Sequence, residues 1–399
     1  MDLDRADKLA HDGDFEQAIA IYTAAARDGA GDTRLDALWS LARIYYAQQR
    51  PAEAAQVLPL IIESGPAPEE EARALLLLGQ AQLERGLNAE AERSFRRYLE
   101  GAGPASAYAR LGLAAVLARK GDHSGAIDQL ELALAEKLPP GPETDTLFSL
   151  ARSQEAAGDT AAALATYVAL TLKAASASQE AEAFWQLAAL ARRSGDNARY
   201  QESLATLARE YPGHPRALEA LGQPQLAPQP QLTTAERAVV LFRHRRNDEA
   251  SAAFRAYLEQ GPDAGGRGLA HHHLGILAER AGDQQAALAE YEQALASLAG
   301  AEDDPLFAEA AWFRAQLLEA LGRPEESVAA YAALADAAPS SSRAPEALFR
   351  AGLIRFQQSR PQEAAAFWSR LLDVSSEPAE AARAAVAISP CSRSPRIRR

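Results

Sequence analysis

Three consecutive histidines, His271-His272-His273, are the first residues in this chain that could do chemistry, and that chemistry would be metal coordination. On a helix, neighbours point about 100° apart, so three in a row cannot converge on one ion; zinc-binding helices space their histidines at i and i+4. No other His, Cys or carboxylate keeps a ligand spacing to them. The expectation is no metal, with His271 packed inward and His272 facing a groove. Gly265-Gly266-Arg267-Gly268 is glycine-rich but lacks the spacing and the following Lys of a phosphate-cradling loop. The single cysteine, Cys391, excludes disulfides and a thiolate metal cluster. No Ser–His–Asp or Cys–His set can be assembled, so neither catalysis nor a cofactor is expected.

A second set of residues is suited to recognition. Trp39, Phe148, Trp185, His272, Trp312 and Phe349 hold large, rigid groups that could contact a peptide or a glycan. Arg43, Arg152 and Arg192 fall on the same or an adjacent face, with Arg193 and Glu279. The six share one position in a repeated pattern, three residues before a small residue on a first helix. They either line a groove or pack against the next repeat.

The pattern that positions them recurs ten times. A Gly-Asp or Arg-Pro break precedes a small residue, and a large apolar residue follows it by four. The small position is Ala18, Ala54, Ala91, Ala126, Ala163, Tyr200, Ala250, Ala287, Ser327 and Ala364, in steps of 36, 37, 35, 37, 37, 50, 37, 40 and 37. Four residues on stand Tyr22, Leu58, Phe95, Leu130, Tyr167, Leu204, Phe254, Tyr291, Tyr331 and Trp368. An i, i+4 pair shares a helix face. Twelve residues before the small position lies its counterpart on the preceding helix: Ala42, Gly79, Ala114, Ala151, Ala188, Gly275, Ala315 and Gly352. Small residues on both helices let a hairpin close tightly. Every apolar stripe has helical period, and a repeat in the mid-thirties means stacked helical hairpins. At the breaks, Gly accepts the left-handed conformation that ends a helix, Asp caps the next one, and Pro suits its first turn.

The chain resembles tetratricopeptide repeat proteins. Leu274-Gly275, Ala278, Gly282-Asp283, Ala287, Tyr291 and Ala294 follow that family's pattern, and the likeness runs over residues 1–388. It implies an all-α fold: a right-handed superhelical solenoid of antiparallel helix pairs, about ten repeats, with the Trp39 position facing a concave groove. It implies a protein or peptide partner and a non-catalytic scaffold. Repeats slightly longer than the usual ~34 residues occur in Sel1-like and transglycosylase-associated relatives. The family's carboxylate clamp is not matched, because Trp39 stands at one of its positions and only Arg43 resembles another. Residues 212–373 are also similar to the superhelical region of bacterial soluble lytic murein transglycosylases, through Glu236 to Leu258 and Ala344 to Trp368. That likeness implies an alternative: the superhelical part of a cell-wall enzyme, peptidoglycan-associated, without the lysozyme-like domain that carries the catalytic Glu-Ser pair.

Composition narrows the partners. A net charge of −13 argues against nucleic acid, which needs a basic face. No stretch approaches the ~18–20 apolar residues needed to span a bilayer. Met1 to Asp7 holds no apolar core of a signal peptide, so a cytoplasmic location is expected as written, or an exported one if the true start lies upstream. Along the chain, residues 1–211 read as six helix pairs. Residues 212–234 read as a Pro/Gln-rich linker or hinge, 235–388 as four pairs plus a partial eleventh, and 389–399 as a disordered basic tail.

Overall fold

In the computed structural model, which describes residues 3–101, 103–223 and 232–374, each of the ten breaks separates two helices. Six pairs come first: α1 (Leu3–His11) with α2 (Phe15–Asp28), α3 (Gly31–Ala47) with α4 (Pro51–Glu63), α5 (Pro68–Glu84) with α6 (Asn88–Glu100), α7 (Ser106–Arg119) with α8 (His123–Ala135), α9 (Pro140–Ala156) with α10 (Thr160–Lys173), and α11 (Ala177–Arg193) with α12 (Asn197–Glu210). After the short α13 (Pro215–Leu221) come α14 (Thr234–Arg243) with α15 (Asn247–Glu259), α16 (Ala264–Arg280) with α17 (Gln284–Ser297), α18 (Pro305–Ala320) with α19 (Pro324–Ala337), and α20 (Ala344–Gln357) with α21 (Pro361–Val374). Among the described residues there is no strand.

The breaks work through one backbone device. Each holds a residue with positive φ, and the following N–H reaches back five residues, as in Asp283 N–H to the Ala278 carbonyl at 2.9 Å and Arg50 N–H to the Tyr45 carbonyl at 2.8 Å. This bond satisfies a carbonyl that the helix end would otherwise orphan. Seven breaks place glycine there, such as Gly282 at φ 82°, but Gln49, Arg245 and Ser359 take φ 54°, 57° and 60° with a side chain attached. The Asp that follows then caps the new helix: Asp122, Asp159 and Asp283 accept from the N–H of Gly125, Ala162 and Ala286.

Within a hairpin the 12-residue offset is visible as contact. Ala18, Ala54, Ala91, Ala126, Ala163, Ala287, Ser327 and Ala364 are fully buried, and Ala6 and Ala238 supply the matching first-helix sites in the two repeats where the sequence pattern left them unassigned. Hydrogen bonds repeat the offset: Ser94 Oγ to Gln82, Thr166 Oγ1 to Gln154, Ser327 Oγ to the Ala315 carbonyl, and the Tyr167, Tyr291 and Tyr331 hydroxyls to Glu155, Glu279 and Glu319. The large residue of the second helix lies against the small site of the first. A Cβ on Gly79 would come within 2.7 Å of the Phe95 ring, and one on Gly275 within 2.5 Å of Tyr291. Gly112 of α7 also closes on Phe95, so one aromatic joins two repeats.

The chain divides into two compact units after Leu204. The N-terminal unit holds a series of apolar clusters, one built around Tyr22, Leu38, Leu58 and Ile61, one around Phe95, Leu113 and Leu130, and one around Tyr167, Leu170 and Leu187. In the C-terminal unit the clusters centre on Phe254, then on Tyr291, Trp312 and Tyr331, then on Leu348 and Trp368. Each cluster spans neighbouring hairpins only, as stacked repeats require. Within the stretch expected to be a linker, Pro215–Leu221 form α13, with His214 Nδ1 accepting from the Arg216 N–H at 3.3 Å. Pro at the first helical turn and a side-chain cap suffice to start that short helix. Residues 224–231, the partial eleventh repeat and the 389–399 tail lie outside the described residues.

Candidate functional site

The position three residues before the first-helix small site recurs on α3, α9, α11, α16, α18 and α20, and its residues meet different fates. Trp39 on α3 is half-buried, with the Arg73 guanidinium of α5 4.8 Å from its ring centre. It lines a cavity of about 440 Å³ together with Asp7, Tyr22, Asp36, Ser40 and Arg43. Arg43 is exposed and donates to Ser40 Oγ at 2.9 Å. The Tyr22 hydroxyl donates to Asp7; burial first, and that hydrogen bond second, push its pKa up to about 12, so it stays a donor at neutral pH.

Phe148 on α9 is half-buried against the Tyr167 cluster, one turn from the exposed Arg152. Both line a cavity of about 290 Å³ that reaches Glu182 and Gln186 of α11. Trp185, on that helix, is also half-buried. Arg192 is exposed, but its guanidinium lies 5.9 Å from the Tyr200 ring centre, across its own hairpin.

The C-terminal unit corrects the expectation of an aromatic groove there. His272 is 6% exposed and Trp312 5% exposed. His272 is enclosed by His273, Tyr291 and Phe313 at ring distances of 5.4, 6.1 and 5.6 Å. Trp312 packs on Tyr331 at 5.4 Å, and Arg343 of the next hairpin, itself paired with Glu309 at 2.8 Å, lies over its ring at 5.2 Å. Phe349 is half-buried, and its ring faces Trp368 at 6.3 Å while its carbonyl accepts the indole N–H at 3.2 Å. In these repeats a side chain from the same or the next hairpin covers the aromatic position.

The three histidines likewise take three partners. His271 Nδ1 lies 2.7 Å from Glu290 Oε2, and His273 sits between Phe242 and Phe254 with Nδ1 on the Leu269 carbonyl at 2.9 Å. The expected orientation is therefore reversed, since His272, not His271, is the buried member. Burial, aided by neighbouring His273, lowers the His272 pKa to about 4, so the ring is neutral. Among the described residues no three His, Cys, Asp or Glu side chains converge as metal ligands, and no described helix is long and apolar enough to cross a membrane.

Two features escaped the sequence reading. One is the charged position a further turn back, six residues before the small site, which places Asp36, Arg73, Asp145 and Glu182 beside the aromatic residues. The i, i+3 spacing was its available signal. The other is a cavity of about 710 Å³ between α7 and α9, where Ala114, Ala115 and Ala118 face Thr146, Ser149 and Ser153. Small residues on both walls leave this volume unfilled, and no periodicity announces it.

A family model for the tetratricopeptide repeat matches residues 3–69, 61–107, 76–142, 235–302 and 274–342, well over half of the chain. No curated protein matches the chain significantly. Among solved structures, MamA is 20% identical, with 49% of this chain and 97% of that one covered at a TM-score of 0.34. A tetratricopeptide repeat protein from Parabacteroides merdae is 16% identical over 72% of this chain and 99% of its own, at a TM-score of 0.29. With its hairpin register, its left-handed breaks and the extent of the family match, this chain belongs to the tetratricopeptide repeat family.

Proposed function

We propose that the protein is a non-catalytic scaffold that holds a segment of a partner protein along the first-helix face of its N-terminal unit. Repeats of this family serve as interaction modules, and one observation carries the assignment to this face. Cavities open among α1, α3 and α5 and among α7, α9 and α11, with half-buried Trp39 and Phe148 beside arginines. Half-buried aromatic groups flanked by cations bind well because they add contact area at little entropic cost. In the C-terminal unit the equivalent His272 and Trp312 are buried in packing, and half-buried Phe349 lies against Trp368. The resemblance to the transglycosylase superhelix draws no support from the family match, and neither does an association with peptidoglycan.

The test is a pull-down using the intact chain carrying Trp39→Ala, Phe148→Ala and Trp185→Ala, with circular dichroism to verify folding. Recovery of partners should fall sharply. Undiminished recovery by a folded triple variant would sink the assignment.

A further inference from the structure

The cavity between α7 and α9 has an apolar floor, and its charged rim is unlike the chain as a whole. Leu111, Ala115, Ala118 and Leu130 line it, and its charged residues are Arg119, Arg152 and Asp145. In this cavity the local balance is one positive charge, in a chain of net −13, and Glu182 of the adjoining cavity brings the two cavities together to zero. Arg119 is held by the Leu83 carbonyl at 2.6 Å, and Asp145 Oδ1 accepts from Gln179 Nε2 at 3.3 Å. Among the described residues no carboxylate pairs with either arginine, whereas Arg110 and Arg193 in the same unit are bound to Glu136 and Glu155. Arg152 also lines the neighbouring cavity, which shares Asp145 and Ser149 and continues to α11.

This combination selects a ligand chemistry. About 710 Å³ lies in the range that accommodates bulky apolar groups, and alanine walls can be occupied without disturbing the hairpins. An arginine lacking a carboxylate partner favours an anionic group beside that apolar one. An extended chain advances about 3.3 Å per residue, so adjacent side chains can reach the apolar floor and the charged rim of one cavity.

We propose that this double cavity binds an extended segment of a partner protein that places a bulky apolar side chain between α7 and α9 and an adjacent Asp or Glu on Arg152. The proposal rests on the reading that the first-helix face of this unit holds the partner.

The test uses the full chain as bait for phage-displayed random dodecapeptides. Recovered peptides are synthesised with a fluorophore and titrated by anisotropy against four variants. Arg152→Glu reverses the rim charge, Ala115→Leu fills the cavity, Trp39→Ala alters the α3 region, and Arg255→Glu makes the same charge change at an exposed site of the other unit. The expected peptides carry an apolar–acidic pair. They bind Arg152→Glu and Ala115→Leu at least tenfold more weakly than the parent and bind Arg255→Glu as the parent does. Lys in place of the acidic residue should restore binding to Arg152→Glu. Peptides that bind both cavity variants normally but lose affinity for Trp39→Ala would overturn this proposal and leave the broader reading standing. Peptides indifferent to all three N-terminal variants, or no enrichment, would overturn both.

Discussion

Adding a single methyl group to Gly275 should destabilise the C-terminal unit, although alanine is the better helix former. The new Cβ would lie 2.5 Å from Tyr291 Cε1 and 2.7 Å from Cδ1, far inside contact distance. The ring cannot yield easily. It is fully buried, its hydroxyl is bonded to Glu279, and Phe313 stacks on it at 5.9 Å with an interplanar angle of 16°. Overpacking of this kind costs about 1–3 kcal/mol, and the helix preference of Ala over Gly returns about 1 kcal/mol. Because the ring is held, the overpacking cost falls in the upper part of that range, about 2–3 kcal/mol, and Gly275→Ala should lose ~1–2 kcal/mol. The same substitution at Gly265 on the same helix meets only Asp263 Oδ1 at 3.8 Å, and it should gain roughly 0.5 kcal/mol. Sister repeats suggest the rescue: Ala42 and Ala114 stand where the second helix presents Leu58 and Leu130. Tyr291→Leu combined with Gly275→Ala should be less destabilised than the sum of the single changes by about 1–2 kcal/mol. Urea unfolding followed by circular dichroism on the four variants measures the cycle. A Gly275→Ala protein as stable as the parent, or strictly additive singles, would refute the close-crossing argument. Ala151 and Ala315 stand at the same repeat position opposite Tyr167 and Tyr331, so the aromatic ring alone does not demand glycine; the close approach of Tyr291 does.

Three further outcomes are expected. Gln49→Gly, Arg245→Gly and Ser359→Gly should each stabilise by about 0.5–1 kcal/mol, because each relieves a side chain held at positive φ; a thermal melt that stays put or falls would count against this. His272 is neutral in the fold, with its pKa depressed from 6.5 to about 4, so the unfolded chain binds more protons between those values and stability falls as pH drops through that window, by at most about 3 kcal/mol. His272→Phe should flatten this slope, and an identical slope in the variant would contradict the assignment. Tyr167→Phe removes the hydroxyl bond to Glu155, which also receives Arg193 from α11, and should cost about 1–2 kcal/mol in a denaturation titration; no change would mean that this bond does not hold the hairpin.

Much of the architecture was legible because a helical hairpin is a local object. The offset of twelve between small sites joins residues of adjacent helices across a short break, and Ala163, Ala287 and Ser327 are buried where that offset places them. The left-handed breaks were legible at Gly121 and Gly282, less so where Gln49 and Ser359 precede Arg-Pro, because a side chain at positive φ follows no composition rule. The candidate face was legible only in part. Trp39 and Phe148 line cavities, but Arg73, Asp145 and the space beside Ala115 and Ala118 depend on contacts between repeats.

Helix period and turn chemistry are carried by residues within about forty positions of one another, so the sequence alone determined the ten hairpins among the described residues and the helix position at which each of their repeat aromatics stands. Depth within that face is another matter. The same position leaves Trp39 beside a cavity and Trp312 5% exposed, because an arginine of the next hairpin lies over each ring, but Tyr331 packs on Trp312 while a cavity opens beside Trp39. What covers a side chain is decided by the neighbour that packing brings to it, and only the tertiary structure places that neighbour.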